Sequence, residues 1–183
     1  GQCAVPTTMT IVVNPLPTVN FTANPFPVCA GTSTVLSANV TNATPTITNG
    51  AQTFSMNTAA FGVPVTTPLT GLLFDTASLG CTAFAPGSLA GKIALIQRGT
   101  CAFAVKAQNA QDAGAIGVIL YNNVAGGIIP GGTAPGVTIP VYGITLADGQ
   151  ALIASMTANE VSVTLNPAPP LTYLWGNGDT TQT

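Results

Sequence analysis

The stretch GKIALIQRGTCAFAVKAQNAQDAGAIGVILYNN, Gly91 to Asn123, decides the fold. Lys92 to Ile96 (KIALI) is a short apolar run of strand length, and Ala115 to Tyr121 (AIGVILY) is a continuous buried one. Between them Ala102 to Ala113 (AFAVKAQNAQDA) is rich in alanine and stops at Gly114, the residue type that takes the turn just past a helix. Two apolar strands flanking one helix read as a β-α-β unit, with the strands parallel and the crossover right-handed.

Toward the C-terminus a Gly/Pro-rich loop (Gly126 to Gly136) leads to a strand at Val137 to Ile144. Thr145, with Asp148 three residues on, gives a capping-box-like start to a helix running to about Met156. Glu160 to Leu165 (EVSVTL) is a further strand, closed by Asn166-Pro167-Ala168-Pro169-Pro170. Leu171 to Trp175 (LTYLW) reads as one more strand, and Gly176-Asn177-Gly178-Asp179 as a turn. Toward the N-terminus, β-rich segments lie at Leu69 to Phe74 and Ile47 to Met56. Ser33 to Val40 alternates like a half-buried strand, Thr18 to Ala23 is a short one, and Thr7 to Val13 (TTMTIVV) is β-branched enough to be another, ended by Asn14-Pro15-Leu16-Pro17.

The 183 residues are 46% hydrophobic but only 4% charged, against roughly 25% in an ordinary soluble domain. Such a surface calls for glycans, hydroxyl groups or burial in an assembly. Three basic residues (Lys92, Arg98, Lys106) cannot form the footprint that nucleic acid requires. Histidine is absent, which removes Ser-His-Asp and Cys-His chemistry, His-ligated zinc and an imidazole base. The five acids (Asp75, Asp112, Asp148, Glu160, Asp179) are scattered singly, so no catalytic residue, metal site or cofactor is expected. Cys3, Cys29, Cys81 and Cys101 show no C-x-x-C spacing, and their even number suggests disulfides, hence a chain outside the reducing cytosol. No apolar run reaches the ~18 residues of a membrane span, and a mature secreted chain, extracellular or at a cell surface, is expected.

Gly91 to Asn123, followed by IPVYGITLADGQALIASM (Ile139 to Met156) and preceded by GLLFDTASLGC (Gly71 to Cys81), resembles the protease-associated (PA) domain. The resemblance covers roughly Thr46 to Asn166. It implies a non-catalytic, mainly β module with two helices (α+β), a β-barrel or sandwich containing the β-α-β unit, of the kind credited with protein interaction or substrate access in secreted proteases. It also implies a Cys81 to Cys101 disulfide, since it places both at one end of the sheet. The flanks, Pro17 to Val40 and Leu171 to Thr183, resemble strands of bacterial surface Ig-like repeats, and Gly1 to Pro17 resembles the end of such a repeat. The implied organisation is an N-terminal donor-like strand (residues 1–17), a partial Ig-like β-sandwich (18–45 and 171–183) and a PA domain inserted in it (46–170). In the resembling repeats the cysteine before the second strand pairs with that preceding the last, which here means Cys29 of one subunit with Cys3 of another.

Single residues take bland readings first. Lys106 reads as a solvated helix position rather than a binding residue, and Arg98-Gly99-Thr100 as a turn into the helix rather than an anion site. Gly126 to Gly136 lacks a phosphate-loop ending and reads as a family loop, and Trp175 reads as a core residue of an Ig-like strand. Asn20, Asn39 and Asn42 head N-x-S/T sequons, while Thr76 and Thr180 follow aspartates, as in a bacterial O-glycosylation acceptor; all five are glycosylation candidates.

The leading functional expectation is a non-enzymatic extracellular filament subunit. Its strand Thr7, Thr8, Met9, Thr10, Ile11, Val12, Val13 would complete a neighbour's sandwich by donor-strand exchange and build a head-to-tail homopolymer. The alternatives are an adhesin whose PA domain binds peptide or glycan, and the accessory PA region of a secreted peptidase.

Overall fold

The computed structural model describes residues 19–24, 35–40, 44–50, 52–156 and 160–170. Two compact units divide the chain: Gly1–Ala43 with Pro169–Thr183, and Thr44–Ala168. In the first, β1 (Val19–Asn24) and β2 (Val35–Val40) pair antiparallel, Val19 opposite Val40 and Asn24 opposite Val35. Such a pair does not make an Ig-like sandwich, and the expected insertion into one is not established by it. The segments Thr7 to Val13 and Leu171 to Trp175 lie outside the described residues, as do Cys3, Cys29, Asn42 and Thr180.

The second unit is mainly β with two helices. Its strands are β3 (Thr46–Thr48), β4 (Thr53–Ser55), β5 (Asn57–Thr58), β6 (Leu69–Asp75) and β7 (Lys92–Gln97). After α1 (Phe103–Asp112) come β8 (Gly117–Tyr121), β9 (Val141–Ile144), α2 (Leu146–Ser155) and β10 (Glu160–Asn166). One eight-stranded mixed sheet has the order β4-β3-β10-β6-β7-β8-β9-β5. β6, β7, β8 and β9 are mutually parallel, and β10 and β5 flank them antiparallel. No sandwich is formed: β4 and β5 stand at opposite ends of the order yet are joined through Met56 alone, so the sheet curls round into a half-barrel.

Period-two alternation divides the core. Ala94, Ile96, Val118, Leu120 and Val141 face α1 and its Ala107 and Ala110, whereas Ile93, Leu95, Ile119, Tyr142 and Ile144 face α2 and its Leu152. The central parallel strands are therefore covered on both faces, which explains their unbroken apolar runs. Gly114 ends α1 at φ +95°, and a Cβ there would lie 3.0 Å from the Ala90 backbone, so both conformation and space require glycine. Thr145 caps α2, its Oγ1 accepting the Asp148 N–H at 3.0 Å.

Two segments depart from the expected elements. The single β-rich stretch Ile47 to Met56 is folded back on itself: Asn49 Oδ1 accepts the Gln52 N–H at 2.9 Å, Gly50 takes φ +86°, and β4 pairs with β3. The strand from Val137 is shortened to Val141–Ile144, because Pro140 has no N–H for a ladder and the N–H groups of Thr138 and Ile139 are taken by the Gln111 side chain.

Candidate functional site

The four parallel strands end along one edge, at Asp75, Gln97, Tyr121 and Ile144. Loops that follow the carboxyl ends of parallel strands are a common place for ligand contact, and this edge is the candidate site. After β6, the Asp75 carboxylate accepts the Ala77 N–H at 3.0 Å and Ala77 takes φ +49°, which turns the chain sharply. The Thr76 hydroxyl is engaged with the carbonyls of Leu95 (3.2 Å) and Ser78 (3.1 Å), so this glycosylation candidate sits in a hydrogen-bonded turn. Of the sequon candidates, Asn20 and Asn39 are direct cross-strand partners in the β1–β2 pair.

After β7, the Arg98 N–H donates to the Tyr121 carbonyl at 2.8 Å, and its Nη1 donates to Asn122 Oδ1 at 3.2 Å. Arg98 is otherwise exposed. Cys81 and Cys101, 20 residues apart, are joined by a disulfide with their Cα atoms 5.6 Å apart. Gly99 passes so close to Leu79 that a Cβ would lie 2.7 Å from it.

The solvated reading of Lys106 is overturned, because the residue has no exposed surface at all. Its ammonium donates to the Leu79 carbonyl beneath the disulfide-bonded segment, and burial pushes its pKa below the ordinary lysine value. The signal for this was in the helix pattern: Phe103, Lys106, Ala107, Ala110 and Ala113 follow the spacing of one helical face. Asn109 reinforces the same contact, its Nδ2 donating to the Gly80 carbonyl at 2.9 Å.

The β8–β9 connection, Asn122 to Pro140, is the largest loop leaving this edge and is fastened by its own Asn122 and by side-chain amides of β5 and α1. Asn122 is 3% exposed; its Nδ2 donates to the Gly126 carbonyl at 3.0 Å, and its Oδ1 accepts the Asn123 N–H at 3.0 Å as well as Arg98. Asn57 donates to the Ile128 carbonyl at 3.1 Å. From α1, Gln111 donates to the Gly136 carbonyl at 2.8 Å and accepts the Thr138 N–H at 2.7 Å. Between these ties the loop exposes Val124 (56%) and Ile129 (71%), two of the large apolar side chains most open to solvent among the described residues. None of these amide roles was found in the sequence, although Asn122-Asn123 at the head of a glycine-rich loop was the available cue.

Tyr121 lies at the base of this edge; burial raises its phenol pKa, and the Asp75 charge adds to the shift. Among the described residues no group of three or more His, Cys, Asp or Glu side chains is placed to hold a metal ion. The edge therefore offers exposed aliphatic groups, one guanidinium and a fixed backbone contour: equipment for contact.

Comparison with known proteins agrees on one module. The family model described as "PA domain" matches residues 63–152. "Probable leucine aminopeptidase 2" of Aspergillus fumigatus is 39% identical over 130 residues, spanning 68% of this chain and 26% of that protein. Minor extracellular protease Vpr of Bacillus subtilis is 42% identical over 76 residues, 42% of this chain and 9% of that protein. The solved zinc aminopeptidase BSAP of Bacillus subtilis superposes with a TM-score of 0.56 at 32% identity, covering 67% of this chain and 29% of its own. The chain thus spans about a quarter or less of the length of these two curated relatives.

These relatives overturn the leading expectation: the chain resembles peptidases, and the reading as a filament subunit, with its adhesion and donor-strand exchange, is withdrawn. Strand completion presupposes an Ig-like frame read from the resemblance of short flanking segments, whereas the peptidase likeness extends over two thirds of the chain. No helix among the described residues is long and apolar enough to cross a membrane. The matched residues, the curled sheet with its two helices and the disulfide-bonded loop edge converge on one conclusion: a PA domain lies at residues 63–152 of this chain.

Proposed function

We propose that this chain is the accessory PA region of a secreted peptidase, a module that contributes no catalytic group and contacts polypeptide through the loop edge of its parallel strands. The observation that carries the reading is that sequence and structure comparisons both lead to peptidases, while the chain covers no more than 29% of any relative named above. The extracellular protease among them supports secretion. Exposed Val124 and Ile129 on an uncharged, glycine-rich loop suit a polypeptide better than an ionic ligand, and the amide ties hold the loop in shape before anything binds, which lowers the ordering cost of contact.

The test uses the gene product that contains these residues, with and without residues 63–152, assayed on a small aminoacyl anilide and on a long polypeptide. The deletion is expected to change turnover of the polypeptide more than that of the anilide. A full gene product that hydrolyses neither substrate would overturn the reading.

A further inference from the structure

Among the described residues Lys106 is a buried cation without a counter-ion. Among the described residues the one ion pair joins Lys92 to Glu160, and the partner of the Lys106 ammonium is the neutral Leu79 carbonyl. Burying a charge is costly unless an opposite charge accompanies it. The Lys106 Nζ lies 3.9 Å from Cys81 Sγ, and the Thr100 hydroxyl lies 3.7 Å from the same sulfur. The other sulfur of the disulfide, on Cys101, makes no hydrogen-bond contact with either group; the Leu79 carbonyl is near both, 3.8 Å from Cys81 Sγ and 4.0 Å from Cys101 Sγ, and does not distinguish them. The two halves of the bond therefore sit in different electrostatic surroundings, and negative charge is favoured on Cys81.

We propose that small-molecule thiols open this disulfide in one direction, with Cys101 the site of S-thiolation and Cys81 the leaving sulfur. A thiolate forms a bond to Cys101 Sγ, the Cys81–Cys101 bond breaks, and its electron pair departs on Cys81 as a thiolate paired with the Lys106 ammonium. A second thiolate then attacks the external sulfur of the mixed disulfide and releases Cys101 as a thiolate; the two small thiols leave joined as a disulfide, and the protein gains the two electrons. Exchange is faster when the departing thiol has the lower pKa, and a neighbouring lysine lowers a thiol's pKa. Opening the bond this way supplies the anion that Lys106 lacks while the bond is closed. Cys101 is partly exposed between exposed Thr100 and Ala102, so its sulfur can be approached.

The experiment treats the oxidised chain briefly with glutathione, quenches at early times with N-ethylmaleimide in acid, and maps both cysteines by peptide mass spectrometry. Glutathione on Cys101 with maleimide on Cys81 is expected to exceed the reverse by about fivefold or more. Lys106→Met should bring the two adducts close to equal. Equal adducts in the parent chain, or an excess of glutathione on Cys81, would overturn the proposal. If Lys106→Met does not fold, the lone thiols of Cys101→Ser and Cys81→Ser decide the matter by the pH dependence of their alkylation. Cys81 should titrate lower than Cys101 by about one pKa unit or more, and the opposite order refutes the assignment.

Discussion

Gly149→Ala should destabilise the PA-containing unit although alanine is the better helix former. Gly149 lies in the first turns of α2, buried against β8, and a Cβ there would stand 2.5 Å from both Cβ and Cγ of Tyr121 and 2.7 Å from its Cδ2. Carbon atoms meet favourably at about 3.5–4.0 Å, so the intrusion is about 1 Å. Tyr121 Cβ is fixed by the backbone of β8, and no ring rotation removes that contact; the helix itself has to retreat. Overpacking of this kind costs about 1–3 kcal/mol, and the helix-propensity gain on leaving glycine is about 1 kcal/mol. With two Tyr121 atoms met at 2.5 Å the upper half of that range applies, about 2–3 kcal/mol, so the net loss is about 1–2 kcal/mol, a fall in melting temperature of roughly 3–10 °C for a unit of this size. Thermal unfolding followed by circular dichroism reads it, with Gln150→Ala, exposed on the same helix, as the control expected within about 0.5 kcal/mol of the parent. A Gly149→Ala protein that melts at or above the parent would refute the argued closeness of α2 to β8.

Asn122→Ala removes the tie shared by Arg98 and the loop carbonyls and should cost about 1–3 kcal/mol, with amide exchange accelerating across residues 123–136 before the rest of the sheet. Replacing Cys81 and Cys101 together with serine opens a loop of 20 residues and should lower unfolding stability by about 3 kcal/mol in denaturant titrations. Tyr142→Phe strands the Val65 N–H, which donates to the Tyr142 hydroxyl at 2.8 Å, for a loss of about 1–2 kcal/mol at neutral pH. Burial raises the Tyr142 pKa above its ordinary value of 10.0, so the folded chain holds this proton more tightly than the unfolded one; that contribution is complete below pH 10 and is lost as the pH climbs toward the folded value. The alkaline decline of stability should accordingly be shallower in Tyr142→Phe than in the parent.

The parallel centre of the fold was legible because its signals are local and agree with one another. β7, α1 and β8 are an apolar run, an alanine-rich helix ended by glycine, and a second apolar run, and nothing distant is needed to read them. The start of α2 was equally legible, since Thr145 and Asp148 are in cap spacing. Legibility failed where long-range partners take over. The upper part of the expected Val137 strand is held by Gln111 of a different element, and the N–H groups that would have formed a ladder end on that side chain. Lys106 was misread because a lysine's charge outweighed its position on an apolar helical stripe, and only the fold shows the carbonyl of Leu79 waiting there. The loop edge was invisible for the same reason: Asn57, Gln111 and Asn122 lie far apart in sequence and meet only around the β8–β9 connection. The filament expectation failed differently, by drawing an assembly from the resemblance of short flanking segments to Ig-like repeats, while the longer peptidase likeness points elsewhere.

The carboxamide ties of the β8–β9 loop have a consequence for the environments in which this edge keeps its contour. Neither asparagine nor glutamine takes up or releases a proton across the range in which proteins survive, and a bond between an uncharged amide and a backbone carbonyl is scarcely affected by dissolved ions. A loop pinned by carboxylates and lysines would slacken in acid or brine, whereas one held by these amide ties is expected to keep its face in fresh water, in salt and over several units of acidity. Under the secretion proposed above, where nothing buffers the surroundings, the scarcity of charge is a form of tolerance.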